Sequence, residues 1–364
     1  MGVLGKLFGK DKKEKNKEKK GFTKLVIESI NRETPDTVSV SFEVPASEKS
    51  NFQFIPGQYL NFSIEIDGKE ERRSYSICSS VNESLTIAVK EVANGSVSKW
   101  FNKTAKVGDE IYVSYPEGNF QMTDAGRTYV AFAAGSGITP IFSIAKAINL
   151  SVEGQLTLFY GSKSEEQIIF HEGLKSLNSD QISTHFLLSQ EEKEGFISGK
   201  LTKEKTSELI KENLELLKAH GFYICGPEEM IVNVSEVLKT FGVPDDKIHF
   251  ELFTTPVIME SKSTTVQADF EGESEVSVII DDETTTFKLS NDGKSILDQA
   301  ELEGVDAPYS CRGGVCSTCR AKVLEGSAVM DSNMALTDKE VADGFILTCQ
   351  AHPNSEKITV SYDE

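Results

Sequence analysis

Three cysteines in one short loop and a fourth near the chain end are the residues most able to do chemistry. They read Cys311-x4-Cys316-x2-Cys319, followed by Cys349 in Leu347-Thr348-Cys349-Gln350. Four thiolates that converge on one point can ligate metal, and this spacing is that of a plant-type 2Fe–2S cluster. The loop Ser310-Cys311-Arg312-Gly313-Gly314-Val315-Cys316-Ser317-Thr318-Cys319 is rich in small residues, so backbone N–H groups can approach the sulfurs. A structural zinc site is the alternative. Zinc ribbons usually pair two short-spaced cysteine couples, and three cysteines in one glycine-rich loop fit that poorly. The remaining cysteines are Cys78 and Cys225. Disulfides are not expected in a chain of this size whose N-terminus lacks the apolar stretch of a secretory signal.

A second constellation is Arg73-Ser74-Tyr75-Ser76. A flavin needs a cation for its phosphates, a flat partner for its ring and a hydrogen-bond donor near the reactive nitrogen. Arg73 offers a guanidinium fork suited to phosphate. On a strand, Arg73 and Tyr75 share one face and Ser76 takes the other, unless the backbone bends. Around it, in order, stand Pro56-Gly57-Gln58-Tyr59, Val89-Lys90, Gly95-Ser96-Val97-Ser98 and Pro116-Glu117-Gly118. Backbone amides and Ser hydroxyls at the start of a helix can hold a pyrophosphate, which suits Gly95, Ser96 and Ser98.

A third is Ala133-Ala134-Gly135-Ser136-Gly137-Ile138-Thr139-Pro140, after an apolar strand. Thr139 is expected as an N-cap and Pro140 in the first helical turn. Gly135 and Gly137 would let a dinucleotide pyrophosphate approach the helix N-terminus, although the full G-x-G-x-x-G fingerprint is absent. Cys225-Gly226-Pro227 follows a later strand, and Tyr160-Gly161-Ser162-Lys163 ends another.

The ordered flavin and nucleotide motifs resemble the ferredoxin–NADP⁺ reductase family, and Val266 to Glu364 resembles plant-type ferredoxins. The first resemblance implies that Arg73 binds flavin phosphate, Tyr75 packs on the isoalloxazine and Ser76 lies near its reactive nitrogen. Ser74, Val89, Lys90, Gly95, Ser96 and Ser98 would complete an FAD site. Gly135, Gly137, Thr139, Pro140, Gly226 and Pro227 would receive the nicotinamide nucleotide. Ser76, Cys225 and Glu251 would surround the hydride transfer. Relatives often carry a 2′-phosphate-binding Arg where Ser162 and Lys163 stand, so NADPH is preferred to NADH. The ferredoxin resemblance carries onto Cys311, Cys316, Cys319 and Cys349 as cluster ligands.

These residues must be held by elements that the rest of the chain can build. From 22 to 123, short strands punctuated by Gly and Pro suggest an antiparallel β-barrel for FAD. From 124 to 255, apolar strands alternate with helices expected at Pro140–Leu150, Thr202–His220 and Glu228–Phe241, the pattern of an α/β doubly wound parallel sheet for NAD(P). Residues 256–265 read as a linker, and for 266–364 the ferredoxin resemblance implies an α+β domain of β-grasp type. Residues 1–21 form a Lys-rich tail, with eight Lys against three acids up to Lys20. It is expected to be disordered, with a weak membrane-surface contact through Val3, Leu4, Leu7 and Phe8. A net charge of −19 argues against nucleic-acid binding. No run of eighteen apolar residues occurs, and a cytoplasmic location is expected.

The domain order resembles oxygenase reductases of the phenylacetyl-CoA epoxidase type. It implies that electrons pass from NAD(P)H through FAD to the cluster and on to an oxygenase or other acceptor protein. A general NAD(P)H–acceptor reductase without a dedicated oxygenase is the alternative.

Overall fold

The computed structural model describes residues 19, 21–254, 270, 272–291 and 293–364. The expected tail (apart from Lys19 and Gly21) and the expected linker at 256–265 lie outside the described residues. Among the described residues no helix is long and apolar enough to cross a membrane.

The first sheet contains β1 (Thr23–Thr34), β2 (Thr37–Glu43), β3 (Tyr59–Ile66), β4 (Lys69–Ser76), β5 (Leu85–Lys90) and β6 (Glu110–Val113), with α1 (Ser96–Lys103) between the last two. All its pairings are antiparallel, in the order β4-β3-β6-β1-β2-β5. A bridge between Ile77 and Ile87 brings the two outer strands together and closes the barrel. Period-2 alternation sends Leu60, Phe62 and Ile64 of β3 inward. There Phe62 packs on Phe42 at 5.4 Å and on Phe101 of α1 at 5.8 Å.

The second sheet is parallel. Its elements are β7 (Thr128–Ala134), α2 (Ile138–Asn149), β8 (Gln155–Ser162), α3 (His171–Leu177), β9 (Ile182–Leu188), β10 (Ile197–Ser198), α4 (Lys203–Glu212), β11 (Gly221–Cys225), α5 (Glu228–Thr240) and β12 (Ile248–Glu251). The order β10-β9-β8-β7-β11-β12 reverses direction between β7 and β11. Tyr129, Ala131 and Ala133 of β7 enter one apolar cluster, and Val130 and Phe132 enter another. A strand covered on both faces must be apolar throughout, as this run is.

Two helices differ from expectation. The helix at Thr202–His220 stops at Glu212, because the Asn213 side chain accepts the Glu215 N–H and starts a separate 3₁₀ turn over Leu214–Lys218. Helix α2 begins at Ile138, so Gly137 rather than Thr139 is its N-cap. The Thr139 hydroxyl instead donates to the Ser136 carbonyl at 2.9 Å, inside the first turn that also holds Pro140.

The third sheet is mixed. It holds β13 (Glu273–Ile280), β14 (Glu283–Ser290), β15 (Arg320–Glu325), β17 (Phe345–Leu347) and β19 (Lys357–Ser361) in the order β14-β13-β19-β15-β17. A small ribbon pairs β16 (Ala328–Met330) with β18 (Ala351–Pro353). Helix α6 (Ile296–Leu302) buries Ile296 and Ala300 in the same cluster as Val276 and Val278. Helix α7 (Asp338–Ala342) opens with a capping box between Thr337 and Glu340.

Phe62 is fully buried in the barrel core. Phe62→Ala is expected to destabilise the barrel by about 3–5 kcal/mol through lost burial and the cavity left behind, measured as a shift of the chemical-denaturation midpoint followed by flavin release.

Candidate functional site

The four cysteines of the ferredoxin-like domain come together as two pairs. Cys311 acts on Cys316 and Cys319 on Cys349, and the charges of the two pairs sense each other. Within each pair the neighbouring thiol pushes one member down and the other up: Cys311 and Cys349 fall, Cys316 and Cys319 rise. The Gly313 N–H points at the Cys311 sulfur at 3.4 Å. Arg312 (φ 54°) and Gly314 (φ 72°) take left-handed backbone, and a Cβ at Gly314 would come within 2.9 Å of the Ser332 carbonyl. Among the described residues no three His, Cys, Asp or Glu side chains are set to hold a single metal ion. Two adjacent thiol pairs under inward amides fit a two-iron cluster, one pair to each iron, better than one tetrahedral zinc.

The loop lies against the barrel. Between them opens a cavity of about 700 Å³ bounded by Tyr59, Arg73, Ser74, Ser76, Glu251, Phe253, Cys311 and Cys316, among others. All three domains contribute to it. Ser76 is buried and its hydroxyl donates to Glu251 at 3.3 Å. Burial pushes the Glu251 carboxyl up to about 8, against the pull of that hydrogen bond. Ser74 donates to Asn61 and meets the Ser310 hydroxyl, each at 2.7 Å. Arg72, nearly buried, pairs with Glu70 at 2.7 Å and with Asp306 of the third domain at 3.1 Å. Its guanidinium also lies 4.7 Å from the Tyr309 ring centroid, and that of Arg312 lies 4.0 Å from the same ring.

Strand β4 runs without a break in register to Ser76, so Tyr75 and Ser76 do point to opposite faces. The Tyr75 ring packs on Phe62 and Phe101, and half-exposed Arg73 pairs with Glu71 at 3.0 Å. Val89 is fully buried in the barrel, and Lys90 lies 3.6 Å from Asp36. Gly95 caps α1 with no side-chain bond, leaving the first amides of the helix, including that of Ser96, for a ligand. The Ser98 hydroxyl is engaged locally. It accepts from Val92 N–H at 3.1 Å and donates to the Gly95 carbonyl at 3.3 Å, closing the turn before the helix.

The second sheet presents its residues along the carboxyl ends of the strands, at the switch point where such folds receive ligands. There a Cβ on Gly137 would sit 2.1 Å from the Cys225 carbonyl oxygen, so only glycine lets the α2 turn close against β11. At Gly226 the fit is less strict: a Cβ there would come 2.7 Å from the flexible end of Met230 and 3.2 Å from the Ala134 nitrogen. Pro227 caps α5. Cys225 is fully buried beside Glu251 on the next strand, and burial raises its thiol well above the ordinary range. Tyr160 supports the glycine turn from beneath, donating to the Gly135 carbonyl at 3.1 Å. Ser162 ends β8, and Lys163 after it is exposed. Glu165, which could repel a phosphate there, is engaged by Lys193.

Tyr59, Asn61, Arg72, Tyr160, Phe253 and Tyr309 were not singled out as site residues by their sequence. Tyr59 and Asn61 carried a usable signal, since they alternate with inward Leu60 and Phe62 after the Pro56-Gly57 turn.

Residues 24–122 match the oxidoreductase FAD-binding domain, 132–236 the oxidoreductase NAD-binding domain and 278–354 the 2Fe-2S iron-sulfur cluster binding domain. The chain is 35% identical over 352 residues to one of the subunits of 1,2-phenylacetyl-CoA epoxidase of Escherichia coli (strain K12), covering 94% of this chain and 98% of that protein. It is 30% identical to the ferredoxin reductase component of 3-ketosteroid-9-alpha-monooxygenase of Mycobacterium tuberculosis (strain CDC 1551 / Oshkosh), over 93% of this chain and 96% of the other. In fold it is similar to phthalate dioxygenase reductase, with TM-score 0.56 and 23% identity over 94% of this chain and 98% of that one. It is also similar in fold to an intact type IV self-sufficient cytochrome P450 monooxygenase, with TM-score 0.69 and 21% identity over 93% of this chain and 41% of that one.

The raised Glu251 carboxyl has a consequence for stability. From the ordinary carboxyl range up to about 8, the folded protein keeps a proton that the unfolded chain has released. Its contribution therefore declines as pH rises through that window. Glu251→Gln is expected to flatten this part of the curve of denaturation midpoint against pH, with little change near about pH 5.

Proposed function

The chain belongs to the ferredoxin–NADP⁺ reductase-type oxidoreductases with a C-terminal 2Fe–2S domain, and from that premise we propose that it takes hydride from NADPH and supplies single electrons to an oxygenase of the phenylacetyl-CoA epoxidase type. The cavity shared by Arg73, Ser74, Ser76, Glu251, Cys311 and Cys316 carries this reading. It puts the flavin motif, the end of the nucleotide sheet and the thiol loop around one space.

When bound, FAD accepts hydride and gives electrons up singly, and a 2Fe–2S cluster carries one at a time. The chain's own residues set the conditions. Gly135 and Gly137 open the α2 turn to a pyrophosphate, and the α1 amides beside Gly95 and Ser96 offer a second anion site. Arg73 exchanges its Glu71 partner for a flavin phosphate. Ser76, tied to Glu251, presents a hydroxyl at the cavity wall. Glu251, raised to about 8, holds its proton near neutral pH and keeps that wall uncharged. Cys311, Cys316, Cys319 and Cys349 hold the cluster. The relatives named as oxygenase components support an oxygenase acceptor, and we place the protein in the cytoplasm.

The as-isolated protein should hold about one FAD and two irons per chain. Cys316→Ser should abolish the cluster spectrum and collapse cytochrome c reduction, while NADPH still bleaches the flavin. Unchanged cytochrome c reduction in that variant would mean that electrons leave from the flavin directly. Lys163→Ala should lower kcat/KM for NADPH by about tenfold and leave NADH unchanged, as loss of a charge-assisted phosphate contact requires. An equal change for both nucleotides would remove Lys163 from the site.

A further inference from the structure

We propose that Asn61 is a positioning residue for the electron step, fastening both flanks of the thiol loop to the flavin barrel. The inference rests on the reading that electrons pass from flavin to cluster. Asn61 has no solvent exposure, although its neighbours on β3, Leu60 and Phe62, already fill the core on the other face. A buried amide is costly unless its donor and acceptor are both used, and here both are. Its Oδ1 accepts from Ser74 Oγ at 2.7 Å and from Thr318 Oγ1 at 3.3 Å. Its Nδ2 donates to Glu117 Oε2 at 3.1 Å.

These bonds lead to the loop from two sides. Ser74 passes the connection to Ser310, which precedes Cys311. Thr318 lies between Cys316 and Cys319 and donates its hydroxyl proton to Asn61. Tyr59, two residues earlier on the same face, accepts the Ser317 N–H at 3.2 Å. Asn61 itself does not line the cavity. It acts through Ser74 and Thr318, holding the thiol pairs at a fixed distance from the flavin side. Electron transfer falls steeply with distance, so a loosened loop slows that step without touching the hydride step.

The test is a reciprocal swap in the holoenzyme. Read above about pH 8, where Glu117, which burial raises to about 7, is ionised, Asn61→Asp sets two carboxylates against each other. Glu117→Gln in the same chain restores a donor facing an acceptor, and Asp at position 61 still accepts from Ser74 and Thr318. Three quantities are read: FAD and iron content, amide hydrogen exchange over residues 310–320, and stopped-flow rates of flavin and cluster reduction by NADPH. Asn61→Asp should raise loop exchange and slow cluster reduction by at least about fivefold, the factor equivalent to one lost neutral hydrogen bond, with cofactor content and flavin reduction unchanged. The double variant should recover both. Thr318→Val, which cuts one arm, should show the same split if Asn61→Asp folds poorly. Wild-type exchange and cluster reduction in both single variants would overturn the proposal. So would a loss of iron that the swap does not repair, which marks a purely structural residue. If wild type reduces its flavin but never its cluster, the electron-route reading fails, and the exchange data still decide whether Asn61 holds the loop.

Discussion

Along the β3–β4 ribbon, side chains alternate between a core-facing and an outward set, and the outward set is polar. Tyr59, Asn61, Ser74 and Ser76 stand side by side there because Asn61 pairs with Ser74 and Tyr59 with Ser76 in the strand register. Both other domains pack on this one face. The thiol loop meets Tyr59, Asn61 and Ser74, and Glu251 of the nucleotide sheet meets Ser76. A slip of one residue in that register would turn the face into the barrel and leave the cavity without its floor. The seating of the thiol loop and of Glu251 against the barrel depends on this alternation.

The contacts across the face are mostly neutral hydroxyl and amide pairs, individually weak but directional. The charged exception is Arg72, whose buried guanidinium needs Glu70, Asp306 and the Tyr309 ring together to offset its lost hydration. Packing adds to this. Val315 of the thiol loop rests against the apolar cluster that includes Leu252 of the nucleotide domain. The barrel and the nucleotide sheet are joined separately, by Ser143 donating to the Ser79 carbonyl and Tyr223 to the Gln121 carbonyl, each at 2.8 Å.

Much of this was legible in the sequence. Strand β3 at Tyr59–Ile66 showed by its apolar alternation, and the first two sheet types followed from the spacing of strands, helices and turns, whereas the third came from the ferredoxin resemblance alone. The thiol spacing announced the cluster loop because ligand geometry constrains sequence locally. Helix starts were less legible: Gly137 displaced Thr139 as the cap because close packing on Cys225 outweighed capping preference. That the Ser98 hydroxyl closes the turn before α1 was not legible either, because a hydroxyl near a helix start suits both a phosphate and a turn. The outward place of Asn61 showed in the alternation of β3, but its connection to Ser310 and Thr318 did not, since those partners are more than two hundred residues away and common hydroxyl residues carry no local mark.

The hydroxyl seam also bears on modularity. Domain order alone suggests that the ferredoxin part could be exchanged for that of another reductase. A graft carrying all four cysteines but lacking Ser310 and Thr318 would assemble its metal centre and yet dock on this barrel without register. Chimeras of this architecture would therefore have to transplant the hydroxyls flanking the cysteines along with the cysteines themselves.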